Sequence, residues 1–304
     1  MKFGRVNDLT TIDFSMPDPP KATNLLLDNL APSTVTPKVY FGCTGWSMKE
    51  WVGKFYPPKA KSKEYLKHYN KQFTTIELNT THYRIPTPDL VKTWYQMTDN
   101  NFKFAPKIPQ SISHAPDLGM RGKEIGWFCE SIVGLKEKLG TSFMQLPPNF
   151  GPGRLRQLDQ FLSKFPTEEV PLSIEVRQED WFAEENAFQQ LLYTLKEHQV
   201  GTVITDVAGR RDVLHLGLTT PQLLLRFVGN GMHATDYQRV DAWITLILDW
   251  LEQGLQEVYF FSHQPDNILS PEMCIYFLEQ LEARSALRFS KKTNVLNDGQ
   301  MSLF

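Results

Sequence analysis

From Val39 onward, short β-rich apolar runs alternate with longer stretches whose apolar residues recur at helical spacing. The runs are "KVYFGCT" (38–44), "TTIELN" (74–79), "FKFAPKI" (102–108), "TSFMQL" (141–146), "PLSIEV" (171–176), "GTVITD" (201–206), "LLLRFV" (223–228) and "EVYFFS" (257–262). Between them, residues 62–72 place Tyr65, Leu66 and Tyr69 on one helical face. "TPDLVKTWYQM" opens with Thr87 as an expected N-cap and Pro88 at the first helical position. Val240, Trp243, Ile244, Ile247, Leu248 and Leu251 keep the i, i+3, i+4 pattern through 235–253. Ser270-Pro271 repeats the cap-then-proline start, with Cys274, Phe277, Leu278 and Leu281 on one face behind it. The weakest unit is the sixth, where "AGRRDVLHLGLTTPQ" reads as loop or a very short helix.

Eight strand–helix alternations without a mid-chain linker predict a parallel sheet closed as a (β/α)8 TIM barrel, with a doubly wound open sheet as the competitor. The stretch from Val39 to about Arg284 has the length of such a barrel, roughly 250 residues. The expected organisation is an irregular N-terminal extension (1–37), proline-rich and wrapping the surface or mobile, then a single barrel domain (38–288) and a short flexible C-terminal tail (289–304).

Composition changes this picture little. The 304 residues are 41% hydrophobic and 22% charged with a formal net charge of −2, which gives no support for a broad basic face. Cys43, Cys129 and Cys274 are far apart and form no CxxC pair, pointing to a reducing compartment. No apolar stretch reaches the roughly 18 residues of a membrane span, and the N-terminus lacks the apolar core of a signal peptide. A cytoplasmic protein without membrane partners is expected.

In a barrel of this type, chemistry sits where strands end. "TIELNTTHYRIP" (75–86) shows the pattern: Glu77 and Asn79, two apart, point the same way out of an otherwise sheet-like run. The first strand leads into "GCTGWSMKEW" with Trp46, the third delivers Lys107 and a loop with His114, and the fourth ends at Gln145. The fifth gives Glu175 and Arg177, the sixth Asp206, the seventh Arg226, and the eighth leads to His263. Buried charge must be paired, hydrated or ligand-bound, so these residues form either a ring of structural ion pairs or a ligand pocket. Taken together they favour the pocket. Lys107, Arg177 and Arg226 suit an anionic substrate bearing phosphate or carboxylate. Glu77 and Glu175 are acid/base candidates if their environments separate their pKa values. Lys107 is alternatively a Schiff-base nucleophile, which no sequence feature distinguishes from anion binding. Trp46, Trp51, Tyr56 and Tyr83 offer stacking surface or plain packing.

His82, His114, His233 and His263 show no metal-ligand spacing, which leaves a divalent metal open only as a three-dimensional cluster with carboxylates. No other cofactor is indicated, as GxGxxG, Walker and GxSxG motifs are absent. "GPGR" (151–154) has the Gly-rich start of a helix that could hold an anion, but reads first as a turn.

The motifs "FGCTGWSMKEWVGKFYPP", "IELNTTHYRIP", "FKFAPKIP…SISH", "FMQLPPNF" and "IEVRQEDWF", in that order, resemble the YecE-like family, domain of unknown function 72, from about Val39 to about Leu281. The resemblance implies a TIM-barrel fold and supplies no reaction, since the family has no established activity. It points to Gly45, Trp46, Trp51, Tyr56 and Pro57, then Glu77, Asn79, Tyr83 and Arg84, Lys107 and His114. Gln145, Pro147, Glu175, Arg177, Trp181 and Asp206 complete the set. Two late positions depart from the family pattern. Val228 stands near the place of a His-Gly pair, and Phe261, Ser262 and His263 replace Phe-Asn-Asn.

The terminal "QMSLF" resembles the short peptide by which bacterial proteins dock on the DNA sliding clamp, with Leu303 and Phe304 as apolar anchors, Gln300 at the rim and Met301 in place of Leu; the alternative is an apolar terminus folded back on its own barrel. The leading expectation is therefore an enzyme acting on a phosphate-bearing substrate, in its sharpest form nucleic-acid processing linked to the clamp. A non-catalytic binding module and a lyase or isomerase of a small phosphorylated metabolite are the alternatives.

Overall fold

The computed structural model describes residues 6, 8–30, 36–183 and 185–289. In chain order the elements are α1 (Lys21–Asp28), β1 (Lys38–Cys43), α2 (Tyr65–Asn70), β2 (Thr75–Leu78), α3 (Thr80–Tyr83), α4 (Pro88–Gln96), β3 (Lys103–Pro106), α5 (Gln110–Ser113), α6 (Glu124–Ile132), β4 (Ser142–Gln145), α7 (Leu155–Leu162), β5 (Leu172–Glu175), α8 (Asp180–Ala183), α9 (Glu185–Glu197), β6 (Gly201–Val207), β7 (Gln222–Val228), α10 (Ala234–Glu252), β8 (Glu257–His263) and α11 (Ser270–Ala283). Each strand coincides with one of the β-rich runs. The sixth connection is a 3-10 turn, Ala208–Val213, as its sequence suggested.

All strand pairings are parallel, so the chain is an α/β protein. The hydrogen-bonded ladders form a six-stranded sheet in the order β1-β8-β7-β6-β5-β4 and a separate two-stranded sheet, β2-β3. The sequence predicted one closed eight-stranded ladder; among the described residues the ladders do not run continuously round. Isolated bonds cross the two gaps. Thr74 donates its N–H to Phe41 O at 3.2 Å on one side, and Ile108 donates to Phe143 O at 2.8 Å on the other. Gly42 explains how closely β1 approaches the start of β2: a Cβ there would lie 2.0 Å from Thr75 O.

Side chains alternate across a strand, and here both faces are apolar, as expected of a buried parallel sheet. One face packs against helices: Phe41, Ile204, Leu225, Phe227, Val258 and Phe260 share a cluster with Val240, Trp243, Ile247, Phe277 and Leu281. Phe260 stacks flat on Phe277 with 4.0 Å between ring centroids. The opposite face gathers Tyr40, Ala105, Phe143, Val203, Leu224, Tyr259 and Phe261 into a cluster of their own.

The α4 cap is as predicted, with Thr87 Oγ1 accepting from Leu90 N–H at 3.4 Å. The α11 start differs. Leu269 holds the cap position, and the Ser270 hydroxyl instead accepts from Gln264 N–H, tying down the loop after β8. "GPGR" is not an isolated turn: Pro152–Arg154 form a 3-10 turn that leads directly into α7, and Arg154 stacks on Phe150. Trp51 and Tyr56 are fully buried core residues, which removes them as stacking surface.

The extension wraps the surface where it is described, but it is not irregular throughout: Lys21–Asp28 form the helix α1, with Thr23 and Leu27 buried. Thr23 of α1 donates its hydroxyl to Leu216 O at 2.9 Å and accepts from Leu218 N–H at 2.8 Å. The tail residues Gln300, Leu303 and Phe304 lie outside the described residues. Among the described residues, no helix is long and apolar enough to cross a membrane.

Candidate functional site

Strand register dictates which polar residues meet. Lys107, Gln145, Thr205, Arg226 and His263 each lie two residues beyond a member of the Tyr40–Phe261 cluster, hence on its face and one layer nearer the strand ends. Glu77 joins them because it pairs in register with Ala105, and Glu175 because it pairs with Gln145. These seven are buried or nearly so, with Glu77, Glu175, Lys107 and Arg226 exposed by only 1–3%.

Arg226 is the hub. Its Nε and Nη2 donate to Glu77 Oε2 (3.0 Å) and Oε1 (3.1 Å), and Nη1 donates to both oxygens of Glu175 (3.1 and 2.9 Å). Each carboxylate oxygen has a second partner. Asn79 Nδ2 donates to Glu77 Oε1 at 2.8 Å, and His263 Nε2 lies 2.9 Å from Oε2. Thr205 Oγ1 donates to Glu175 Oε1 and Gln145 Nε2 to Oε2, both at 2.8 Å. Burial alone would raise the pKa of Glu77, but Arg226 and His263 outweigh it and hold the group well below the ordinary carboxylate range. Glu175 is likewise held low against burial, by Arg226, Arg177, Lys107 and the Thr205 hydroxyl. The two environments therefore do not separate the carboxyl groups into an acid and a base: both stay ionised.

Lys107 is placed differently. Its Nζ donates to Gln145 Oε1 at 3.0 Å and rides 5.8 Å above the Phe143 ring. Burial pushes its pKa down to about 8, helped by the charges of Arg226 and Arg177 and opposed by Glu77 and Glu175.

Beside Lys107 lies a pair of imidazoles. His82 and His114 have ring centroids 5.5 Å apart; His82 Nδ1 meets Ile108 O at 3.0 Å and His114 Nδ1 meets Ser113 Oγ at 2.9 Å. Burial lowers the His82 pKa to about 4, and Lys107, His114 and Arg177 add to the shift. His114 is lowered by burial and then by Arg177 and Lys107. Arg177 donates Nε to Leu146 O at 3.1 Å, and Arg210 Nη2 holds the Arg177 carbonyl at 3.1 Å.

The structure thus brings together Glu77, Asn79, Lys107, Gln145, Glu175, Arg226 and His263, with His114 and Arg177 adjoining. Tyr83 is 75% exposed, with its ring against His82. Trp46 packs edge-on against Trp94. Asp206 requires a correction, because it lies on the other face of β6. There it accepts from Arg211 (2.6 Å), Arg239 (2.8 Å) and Trp243 Nε1 (2.6 Å). Phe14 of the extension covers this cluster, and Arg211 donates to Ser15 O at 3.0 Å. Sequence reasoning took the last acidic residue of the run, whereas period-2 register selects Thr205. It also missed His82, whose signal was its place in the loop directly after Glu77 and Asn79.

No three His, Cys, Asp or Glu side chains gather as metal ligands among the described residues. A cleft of ≈ 540 Å³ between α1 and α9, with Leu25, Tyr193, Lys196 and Leu218 among its walls, shares no lining residue with the strand-end cluster.

Comparison with known proteins places this geometry. A family described as "Protein of unknown function DUF72" matches residues 40–295. The UPF0759 protein YecE of Escherichia coli (strain K12) is 30% identical over 261 residues, covering 80% of this chain and 92% of that protein. The UPF0759 protein YunF of Bacillus subtilis (strain 168) is 26% identical over 151 residues, 48% of this chain and 52% of its own. Among solved structures, a DUF72 family protein from Enterococcus faecalis V583 superposes with a TM-score of 0.65 at 22% identity, covering 85% of this chain and 98% of that one. Another from Thermotoga maritima MSB8 gives 0.61 at 23%, covering 81% and 99%.

Proposed function

Because the chain belongs to the DUF72 family, whose description carries no activity, the reading has to come from the site, and we propose that the strand-end cluster binds a small anionic substrate. The observation that carries this is the charge around His82 and His114. The charged groups that shift them, Lys107 and Arg177, are cationic, and His114 acts on His82 in the same direction. An anion placed there meets two cationic side chains beside imidazoles that burial and those same cations keep uncharged, and Lys107 and Arg177 supply donors suited to phosphate or carboxylate oxygens.

In this reading Glu77 and Glu175 are fixed counter-charges. Arg226 saturates them, so their work is to hold Arg226, Gln145 and, through Gln145, Lys107 in place. The reading also places the site at the mouth of a (β/α)8 barrel. The bonds crossing the gaps between β1 and β2 and between β3 and β4 support that closure, as does the interior cluster contributed by β1, β3, β4, β6, β7 and β8. Whether the pocket turns its ligand over or only binds it depends on Lys107.

Titration calorimetry with inorganic phosphate, pyrophosphate, citrate and a short oligonucleotide tests the proposal. At least one should bind, and Lys107→Met should weaken it by about tenfold or more. Absence of binding by all four, or undiminished binding by the variant, overturns it. Phosphate-only binding favours a small metabolite, and tight oligonucleotide binding favours nucleic acid.

A further inference from the structure

We propose that Lys107 is an imine-forming lysine, condensing with the carbonyl carbon of a small anionic aldehyde or ketone whose anionic group sits beside Arg177, His82 and His114. The inference rests on the anion-site reading above and adds a reaction to it.

The geometry separates this lysine from a structural one. Buried lysines ordinarily survive in a protein by pairing with a carboxylate. Lys107 shares its layer with Glu77 and Glu175, yet all four of their oxygens are taken by Arg226, Asn79, His263, Thr205 and Gln145. The one hydrogen bond that Nζ makes among the described residues goes to the neutral amide oxygen of Gln145. That bond fixes Nζ in position without stabilising its charge as a carboxylate would. Arg226 and Arg177 then act on it as like charges. The Phe143 ring beneath it supplies an apolar wall on the side away from the strand ends.

A desolvated ammonium flanked by arginines gives up its proton readily. With a pKa of about 8, about one molecule in ten carries the free amine at neutral pH, against about one in a few thousand for an ordinary lysine. The free amine adds through Nζ to the carbonyl carbon, giving a carbinolamine. Loss of its hydroxyl as water, with both amine hydrogens leaving on that oxygen, forms the C=N bond. The step needs no oxidant, reductant or further reactant. The neighbouring cations select the substrate class, because an attached carboxylate or phosphate delivers the carbonyl to the amine. Small 2-oxo acids and phosphorylated aldehydes or ketones share that chemistry.

The test incubates the full chain with glyoxylate, glycolaldehyde phosphate or acetaldehyde in the presence of cyanoborohydride, then maps the reduced adducts by peptide mass spectrometry. The expected result is an adduct at Lys107 with at least one anionic aldehyde, formed about tenfold faster than with acetaldehyde. Its rate should be half-maximal near pH 8, where surface lysines are still climbing. Lys107→Arg, checked for an unchanged melting profile, should lose that adduct alone. The glyoxylate and phosphate arms distinguish carboxylate from phosphate recognition. No adduct at Lys107, or equal rates for charged and uncharged aldehydes, overturns the inference. If calorimetry still shows phosphate bound when no adduct forms, the imine step alone fails; if neither appears, the anion-site reading fails with it.

Discussion

Arg226 and Glu77, 149 positions apart in the chain, form a two-point hydrogen-bonded pair with less than 5% of either side chain exposed. Glu77 lies in the two-stranded sheet and Arg226 in the six-stranded one, so this pair joins the two sheets through buried charge. The same guanidinium neutralises Glu175, which makes Arg226 the counterion on which the whole layer depends.

Removing that hub strands two buried carboxylates. Arg226→Met should cost about 3–5 kcal/mol or abolish folding, measured by urea denaturation. Adding Glu77→Gln and Glu175→Gln should recover part of the loss, since the uncompensated charges go with them. A mild effect of the single substitution would mean that the layer is hydrated rather than dry.

The low carboxyl pKa values set a pH window. Glu77 and Glu175 titrate below their unfolded value of about 4.3, so in acid the unfolded chain binds more protons than the native one. Stability is fully present above about pH 5 and falls as pH drops through the carboxylate range. Melting temperature should follow that course, and Glu77→Gln should flatten it.

Lys107 runs the other way. Its folded pKa of about 8 lies below the unfolded value of about 10.4, so holding the ammonium costs stability at neutral pH and the cost is relieved between those two values. Lys107→Met should therefore melt higher than the parent at pH 7 while losing anion affinity. A gain on the order of 1–3 kcal/mol is expected, reduced by the lost bond to Gln145. A lower melting temperature at pH 7 would instead mark the lysine as structural.

Asp206 lies on the face of the sheet opposite the strand-end cluster, so its replacement tests whether the two faces act independently. Asp206→Asn leaves Arg211 and Arg239 without their shared charge and should cost several kcal/mol, while the affinity for anions at the strand ends stays within about twofold. Phe14→Ala, which uncovers the same two arginines, should cost about 1 kcal/mol. A large loss of anion affinity from Asp206→Asn would show that the faces are coupled.

The clamp-docking reading of Gln300, Leu303 and Phe304 is tested without the rest of the protein. A labelled "NDGQMSLF" peptide should bind a bacterial sliding clamp saturably in fluorescence polarisation, and Phe304→Ala should abolish the signal. A flat titration to high micromolar clamp removes this reading.

Hydrophobic period alone determined the eight strands, the major helices, their parallel α/β character and most of the polar set at the strand ends, because alternation and helical spacing are local properties of the chain. Glu77, Asn79, Lys107, Gln145, Glu175, Arg226 and His263 were all legible in that way. Which of them pair was not. That Arg226 takes both glutamates, leaving Lys107 on a neutral amide, depends on distances between strands far apart in sequence. The side on which Asp206 falls depends on where β6 starts in register, and a shift of one residue exchanges the two faces. Periodicity placed the charges at one end of the sheet. Only the tertiary structure decided which are spent on one another and that Lys107 rests on a neutral amide instead.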